Sequence, residues 1–281
     1  MDKSVFISLM DESAEAGGGC GNTVDIIGLE IDILGEPLNF RIGVADGPAK
    51  LADIVPLARA ICTKITDVVI KKTQMNEEYI PCRQGCSACC RYIVPVSIPE
   101  AFRMREELLA RLASQQKLTQ RSFLLVARRI LKRKPTKLFA KQATENQSDG
   151  IAGLKALADW YAALNVPCPF HCMGICTIYG QRPIACREHL VKGSARACSG
   201  GRGEAEVIDM PVRVVDVLCL LSSRLENTCE EAVMLPLTFI WCDENLHRGE
   251  RTWSAKMMVE QFVDIVRVMA KEKSEAVAAS A

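Results

Sequence analysis

The chain has 281 residues, 49% of them hydrophobic and 25% charged, with a net charge of +1. That length and apolar share exclude a small scaffold held only by disulfides and allow one large core or two modest ones. A near-neutral total leaves overall charge with no say in the choice of partner.

In chain order, Val24, Ile26, Leu29, Ile31 and Ile33 recur through Thr23 to Leu34 against polar partners, a strand pattern. Gly35-Glu36-Pro37 turns the chain into a second strand, Leu38 to Val44, so a β-hairpin is expected. Gly47-Pro48 opens a helix to about Lys72, with Pro56 as a kink point. Ser97-Ile98-Pro99-Glu100 starts a helix reaching about Leu112, with Ser97 as its cap. In the next helix, Leu118 to Lys134, the residues Phe123, Val126, Ala127, Ile130 and Leu131 share one stripe. Arg128, Arg129, Lys132 and Arg133 lie opposite. A helix follows Asp149-Gly150 to Leu164, and two more run from Pro211 to Asn227 and from Met257 to Lys271, with a frayed tail over Ser274–Ala281. The expected class is α+β, mainly α-helical, with a small N-terminal β-hairpin and a loop-rich cysteine-cluster metal site. The parts are residues 1–75 (hairpin plus helix), 76–205 (cysteine cluster) and 206–281 (C-terminal helices packed on it).

Charge is uneven along the chain. From Ala101 to Lys141 there are twelve Lys and Arg against Glu106 and Glu107, a net of +10, while the remainder nets −9. A solvated helix face explains such a run, and docking to nucleic acid or an acidic protein is the alternative. The paired carboxylates Glu106-Glu107 and Glu230-Glu231 point apart on a helix and are expected to be solvated.

Fourteen cysteines is the outstanding count. No signal-peptide layout opens the chain and no apolar run is long enough for a bilayer, so a reduced, cytoplasmic protein with no membrane association is expected. Cys82, Cys86, Cys89 and Cys90 fall at i, i+4, i+7 and i+8, which on a helix is one face. Cys168, Cys172, Cys176, Cys186 and Cys198 form a second group, set among Pro and Gly, whose turns aim backbone N–H groups at sulfur. His171 and His189 stand beside them. All-sulfur ligation selects zinc, iron (including an iron–sulfur cluster) or copper(I) over magnesium or calcium. Nine thiols suffice for two four-thiolate sites. Adjacent Cys89 and Cys90 diverge, which favours a paired arrangement in which they serve different ions or one bridges two.

Cys86-Ser87-Ala88-Cys89-Cys90, Cys168-Pro169-Phe170 and the string Cys176-Thr177-Ile178-Tyr179-Gly180-Gln181-Arg182-Pro183-Ile184-Ala185-Cys186-Arg187 together resemble the YkgJ-type cysteine cluster family, a CxxCxxCC zinc- or iron-chelating domain. The resemblance spans about Cys82 to Cys198. It implies ligand roles for Cys86, Cys89, Cys90, Cys168, Cys176, Cys186 and Cys198. The family's first gap is usually two residues, whereas three separate Cys82 from Cys86, and Cys172 has no counterpart.

The expected function is metal binding through thiolates of two segments. An iron–sulfur enzyme of electron or methyl-type group transfer, and a metal-stabilised adaptor using the basic helix, are the alternatives. Two features carry less. Glu15 to Gly21 mimics a glycine-rich cofactor loop but precedes a strand instead of following one. Cys62 and Cys219 sit in apolar helical runs as packed thiols, whereas Cys229 and Cys242 stand singly at more exposed positions.

Overall fold

The computed structural model describes residues 6–10, 24–133, 147–199 and 206–280. The fold is mixed α+β, with an N-terminal antiparallel sheet of three strands: β1 (Ile7–Met10), β2 (Val24–Ile33) and β3 (Glu36–Ala45). The spatial order is β1-β3-β2, so the expected hairpin is present and gains a third strand on β3. The turn falls one residue earlier than expected, at Leu34 and Gly35, both at positive φ (53° and 78°). That is the geometry whose twist suits a two-residue hairpin, and glycine carries it without strain at the second position. The mimic loop at Glu15 to Gly21 lies outside the described residues.

The helices are α1 (Val55–Met75), α2 (Ile98–Leu109), α3 (Ala113–Lys132), α4 (Gln147–Leu164), the short α5 (Ile184–Glu188) and α6 (Ala195–Cys198), α7 (Val214–Glu226), α8 (Thr238–Glu244), α9 (Leu246–Gly249) and α10 (Ala255–Ser280). Two boundaries correct the sequence expectation. Pro48 and Ala49 pair with Ser254 and Trp253 as strand, and α1 starts only at Val55. Pro56 therefore sits in the first turn, where its missing N–H breaks no intrahelical bond, and it makes no kink. At the other end α10 continues through the segment expected to fray, to Ser280.

Alternation on β2 and β3 sends Leu29, Ile31, Ile33, Phe40, Ile42 and Val44 inward. There they meet Ile61, Ile65, Val68 and Val69 of α1, the α10 face of Met258, Val259, Phe262 and Val266, and Val214, Val217, Leu218 and Leu221 of α7. The C-terminal helices thus pack on the sheet and α1. Full burial of each such side chain contributes about 1.5–3 kcal/mol, so this is the anchored half of the molecule.

A second core lies beside it, made of Leu51, Val96, Ile98, Phe102, Phe123, Phe170, Ile178, Leu235 and Cys242. Cys242, expected to be more exposed, is fully buried there, Cys62 and Cys219 are packed thiols, and Cys229 is exposed. A small third core packs Val126 and Ile130 of α3 on Tyr161 of α4 and on Val166. Leu131, assigned by periodicity to the inner stripe of α3, is instead 53% exposed. Glu107 is not solvated either: with Arg59 at 2.5 Å it forms a nearly buried ion pair joining α2 to α1, leaving Glu106 the more exposed of the two.

Candidate metal centre

Pro81 to Tyr92 is a succession of turns, not a helix. Its backbone bonds run Cys86 N–H to Arg83 O, Cys90 N–H to Ser87 O and Tyr92 N–H to Cys89 O, each 3.0 Å. Gly85, at φ 92°, holds a conformation that no right-handed helix contains. The helix on which their spacing would give one shared face is therefore absent, and the loop-rich segment carries Cys82, Cys86, Cys89 and Cys90 on tight turns.

The second segment is locked onto the second core by Phe170, whose ring meets Phe123 edge-on with centroids 5.0 Å apart. A tiny hairpin follows, with His171 opposite Cys176 and Cys172 opposite Ile175. Opposed residues share a face and successive ones alternate. Cys176 thus looks to the same side as His171, while Cys172 looks away, exposed, next to the 95%-exposed Met173. Cys172 is the one proposed ligand that the hairpin turns away from the others on its strand pair.

Helix α5, which carries Cys186, is held at both ends by buried carboxyl groups. Glu100, completely buried at the start of α2, accepts the Ile184 N–H at 2.7 Å and the Ser97 hydroxyl at 2.9 Å. Ser97 does occupy the cap position, but its hydroxyl bonds Glu100 and caps no backbone N–H. Glu188 accepts the Val214 N–H at the start of α7. Burial pushes Glu188 up to about 8 against the opposing pull of that N–H, and raises Glu100 as well, against Ile184 N–H and Ser97. Arg187 binds the carbonyls of Gly180 and Arg182, closing the loop ahead of α5. The Arg182 guanidinium lies 4.1 Å from the centroid of the Tyr179 ring.

The two segments meet. Cys168 N–H donates to Cys90 O at 2.7 Å, and the Tyr92 hydroxyl donates to Cys198 O at 2.7 Å. Their thiols feel one another electrostatically in two sets. Cys82 is raised by burial, relieved in part by the Val191 N–H, and raised again by Cys89, Cys86 and Cys198. Cys198 is raised by burial, then by Cys89 and Cys86. On the other side, burial pushes Cys168 up to about 11, with Cys176 and Cys89 adding to it and the N–H groups of Phe170 and His171 opposing. Cys186 is raised well above the ordinary thiol range by burial, then by Cys168, Cys89 and Cys176, against Arg182. Cys89 belongs to both sets. Its own thiol is hydrogen-bonded to Cys90, which raises it, as does burial, while Arg182 pulls it down.

Neighbouring thiols are not yet a ligand set. Among the described residues, no group of three or more His, Cys, Asp or Glu side chains is arranged to hold a metal ion, and the thirteen described cysteines are free thiols. Features suited to thiolate are nonetheless built in: backbone N–H groups on the sulfurs of Cys82 and Cys168, and the Arg182 charge beside Cys89 and Cys186. His189, half-buried, keeps its shielded Nε2 without a hydrogen-bond partner, and burial lowers its pKa, which favours the neutral ring beside Tyr92. A neutral imidazole with a free nitrogen is the ligand form of histidine.

No protein-family model, curated protein or solved structure matches the chain. The residues that sequence reasoning missed are Glu100, Glu188, Tyr92 and Val191. Of these only Glu100 left a signal, as the fourth residue of the S-x-x-E pattern Ser97 to Glu100.

Proposed function

We propose that the protein binds zinc or an iron–sulfur centre through thiolates of both segments. Cys82, Cys86, Cys89 and Cys198 serve one side, Cys89, Cys168, Cys176 and Cys186 the other, and Cys90 lies at hand beside Cys89. The observation carrying this reading is the 2.7 Å hydrogen bond from Cys168 N–H to Cys90 O, which brings the two cysteine segments together next to Cys89. All-sulfur donors, N–H groups aimed at sulfur and a neighbouring guanidinium suit a soft ion and stabilise thiolate against its own charge. His189, whose free Nε2 is close in sequence to Cys186, is a reserve ligand. Cys172 is left out of the set because of its hairpin face.

Burial and neighbouring thiols favour the protonated form of Cys82, Cys89, Cys168, Cys186 and Cys198, so uptake of an ion by them releases protons. Zinc would cross-link two segments about eighty residues apart in the chain; an iron–sulfur centre would add electron transfer. The resemblance to the CxxCxxCC chelating family supports the same reading through its motif residues. The thiolate chemistry also suits a reducing compartment, and among the described residues no helix is long and apolar enough to cross a membrane.

The test is elemental analysis and visible absorption of protein purified without oxygen. Wild type and Cys219→Ser are expected to carry zinc or iron, with brown absorption in the iron–sulfur case, and Cys186→Ser to lose it. Wild type that takes up neither metal, or Cys186→Ser that keeps its full content, would overturn the proposal.

A further inference from the structure

Four arginines converge where α1, the end of α2 and the loop ahead of α5 meet. Arg59 of α1 is buried, and Arg111, Arg182 and Arg187 are half-buried. Hydrogen bonds connect them. Arg187 donates from Nη1 to the Thr63 hydroxyl at 3.3 Å and from Nε to Arg182 O at 3.2 Å. Thr63 in turn donates to Arg59 O, one turn earlier on α1. Arg111 donates to the side-chain oxygen of Gln181, the neighbour of Arg182, at 3.2 Å.

Counter-charge is short among them. Glu107 pairs with Arg59 but also accepts from Arg103. Arg111, Arg182 and Arg187 reach only neutral groups: the Gln181 amide, the Tyr179 ring, the Thr63 hydroxyl and the carbonyls of Gly180 and Arg182. Burial raises Glu100, which makes it a poor counter-charge for them. The crowding is felt at Arg187, which burial lowers and which Arg182 and Arg59 lower further, against Cys62 and Glu100. Water neutralises an exposed cation, whereas half-buried cations at close quarters repel one another. Even with the charge of Arg182 assigned to the thiolates beside it, Arg111 and Arg187 remain.

Donors are left over as well. Nε of Arg59 and Nε of Arg182 are both shielded from solvent, and neither has a hydrogen-bond partner among the described residues. Buried donors of this kind call for an acceptor. Thr63, Gly180 and Gln181 are exposed, so a small solute can reach the cluster.

Guanidinium groups recognise carboxylate and phosphate alike, and two features select phosphate here. The surplus exceeds a single charge, and a phosphate monoester carries about −1.5 to −2 near pH 7. The arginines also come from three separate segments. A phosphate has three oxygens pointing in different directions to meet them, whereas a carboxylate has two in one plane.

We propose that Arg59, Arg111, Arg182 and Arg187 form a binding site for the phosphate group of a small molecule, beside the cysteine segments. The site stands on the arginines and does not depend on metal binding.

The experiment is isothermal titration calorimetry on the full chain in buffer free of phosphate and sulfate. Inorganic phosphate, glycerol phosphate and acetate are the titrants. Saturable binding of phosphate or glycerol phosphate is expected, with acetate weaker by about tenfold or more. Tighter binding of glycerol phosphate assigns the site to an ester, and tighter binding of phosphate to the free ion; both support it. Arg111→Ala and Arg182→Gln should each lose about tenfold or more in affinity, since each removes a donor to a charged acceptor. Arg128→Ala, on the exposed side of α3, should bind like wild type. Arg111 bonds only the Gln181 side chain, so circular dichroism should show Arg111→Ala folded like wild type. The proposal would be overturned by no saturable binding of either phosphate, or by acetate binding as tightly. It would also be overturned if Arg111→Ala or Arg182→Gln bound like wild type, or if Arg128→Ala lost as much as they do.

Discussion

The sheet half and the cysteine half of this molecule are held by different forces. In the first, β2, β3, α1, α7 and α10 bury uninterrupted apolar faces, and any one side chain is a small part of a large contact. In the second, turns, two-residue strands and short helices carry the thiols, and α5 is positioned by single hydrogen bonds, from its Ile184 N–H to Glu100 and from Val214 N–H to its Glu188. Apolar packing tolerates local error because it is summed over many contacts, whereas a buried N–H that loses its acceptor is left at the full desolvation cost. The sheet half is thus the rigid support, and the cysteine half rests on a few individual hydrogen bonds.

Breaking the sheet half should have the largest effect on stability. Phe262→Ala in α10 is expected to cost about 3–5 kcal/mol, read from urea melts, and to leave metal content per folded molecule unchanged. Metal loss from that folded variant would mean that the halves are not separable. Glu100→Ala should cost less, about 1–3 kcal/mol, because it strands the Ile184 N–H. Unlike the first variant, it should also weaken metal retention against a chelator, since Ile184 opens the helix that bears Cys186.

A pH series sharpens the point. Glu100 is raised above its ordinary value of 4.5, first by burial. Its contribution is fully present below 4.5 and is lost as pH rises towards the folded-state value, because the unfolded chain releases a proton that the fold retains. Glu100→Gln keeps the shape and the neutral form, so melts at about pH 5 and pH 8 should differ less for it than for wild type. An unchanged difference would place the titration elsewhere. The smallest effect belongs to Cys172→Ser: exposed and facing away from Cys176, it should shift stability by no more than about 0.5 kcal/mol and leave metal content intact.

The difference between the halves also explains what could be read in the sequence. The β2–β3 hairpin was legible because alternation writes burial directly into residue order, and α10 because Met258, Phe262, Ile265 and Val266 recur at helical spacing. β1 was not, since four residues hold too short a pattern and its pairing with β3 is tertiary. In the cysteine half, spacing named candidate thiols but not how the backbone carries them. The spacing of Cys82 to Cys90 would give one shared face on a helix, but Gly85 turns the chain instead. Cys172 and Cys176 look equivalent in sequence, yet a two-residue turn at Met173-Gly174 puts them on opposite faces. The S-x-x-E pattern marks Glu100 as a capping residue, but its hold on the Ile184 N–H was invisible because the two lie eighty-four residues apart.

Replacing the thiol common to both sets is the most direct trial of the account. Metal per protein, measured by elemental analysis on folded Cys89→Ser alongside wild type and Cys172→Ser, should fall towards zero in the first alone. Cys89→Ser carrying as much zinc or iron as wild type would contradict the claim that one shared sulfur joins the two segments around their metal.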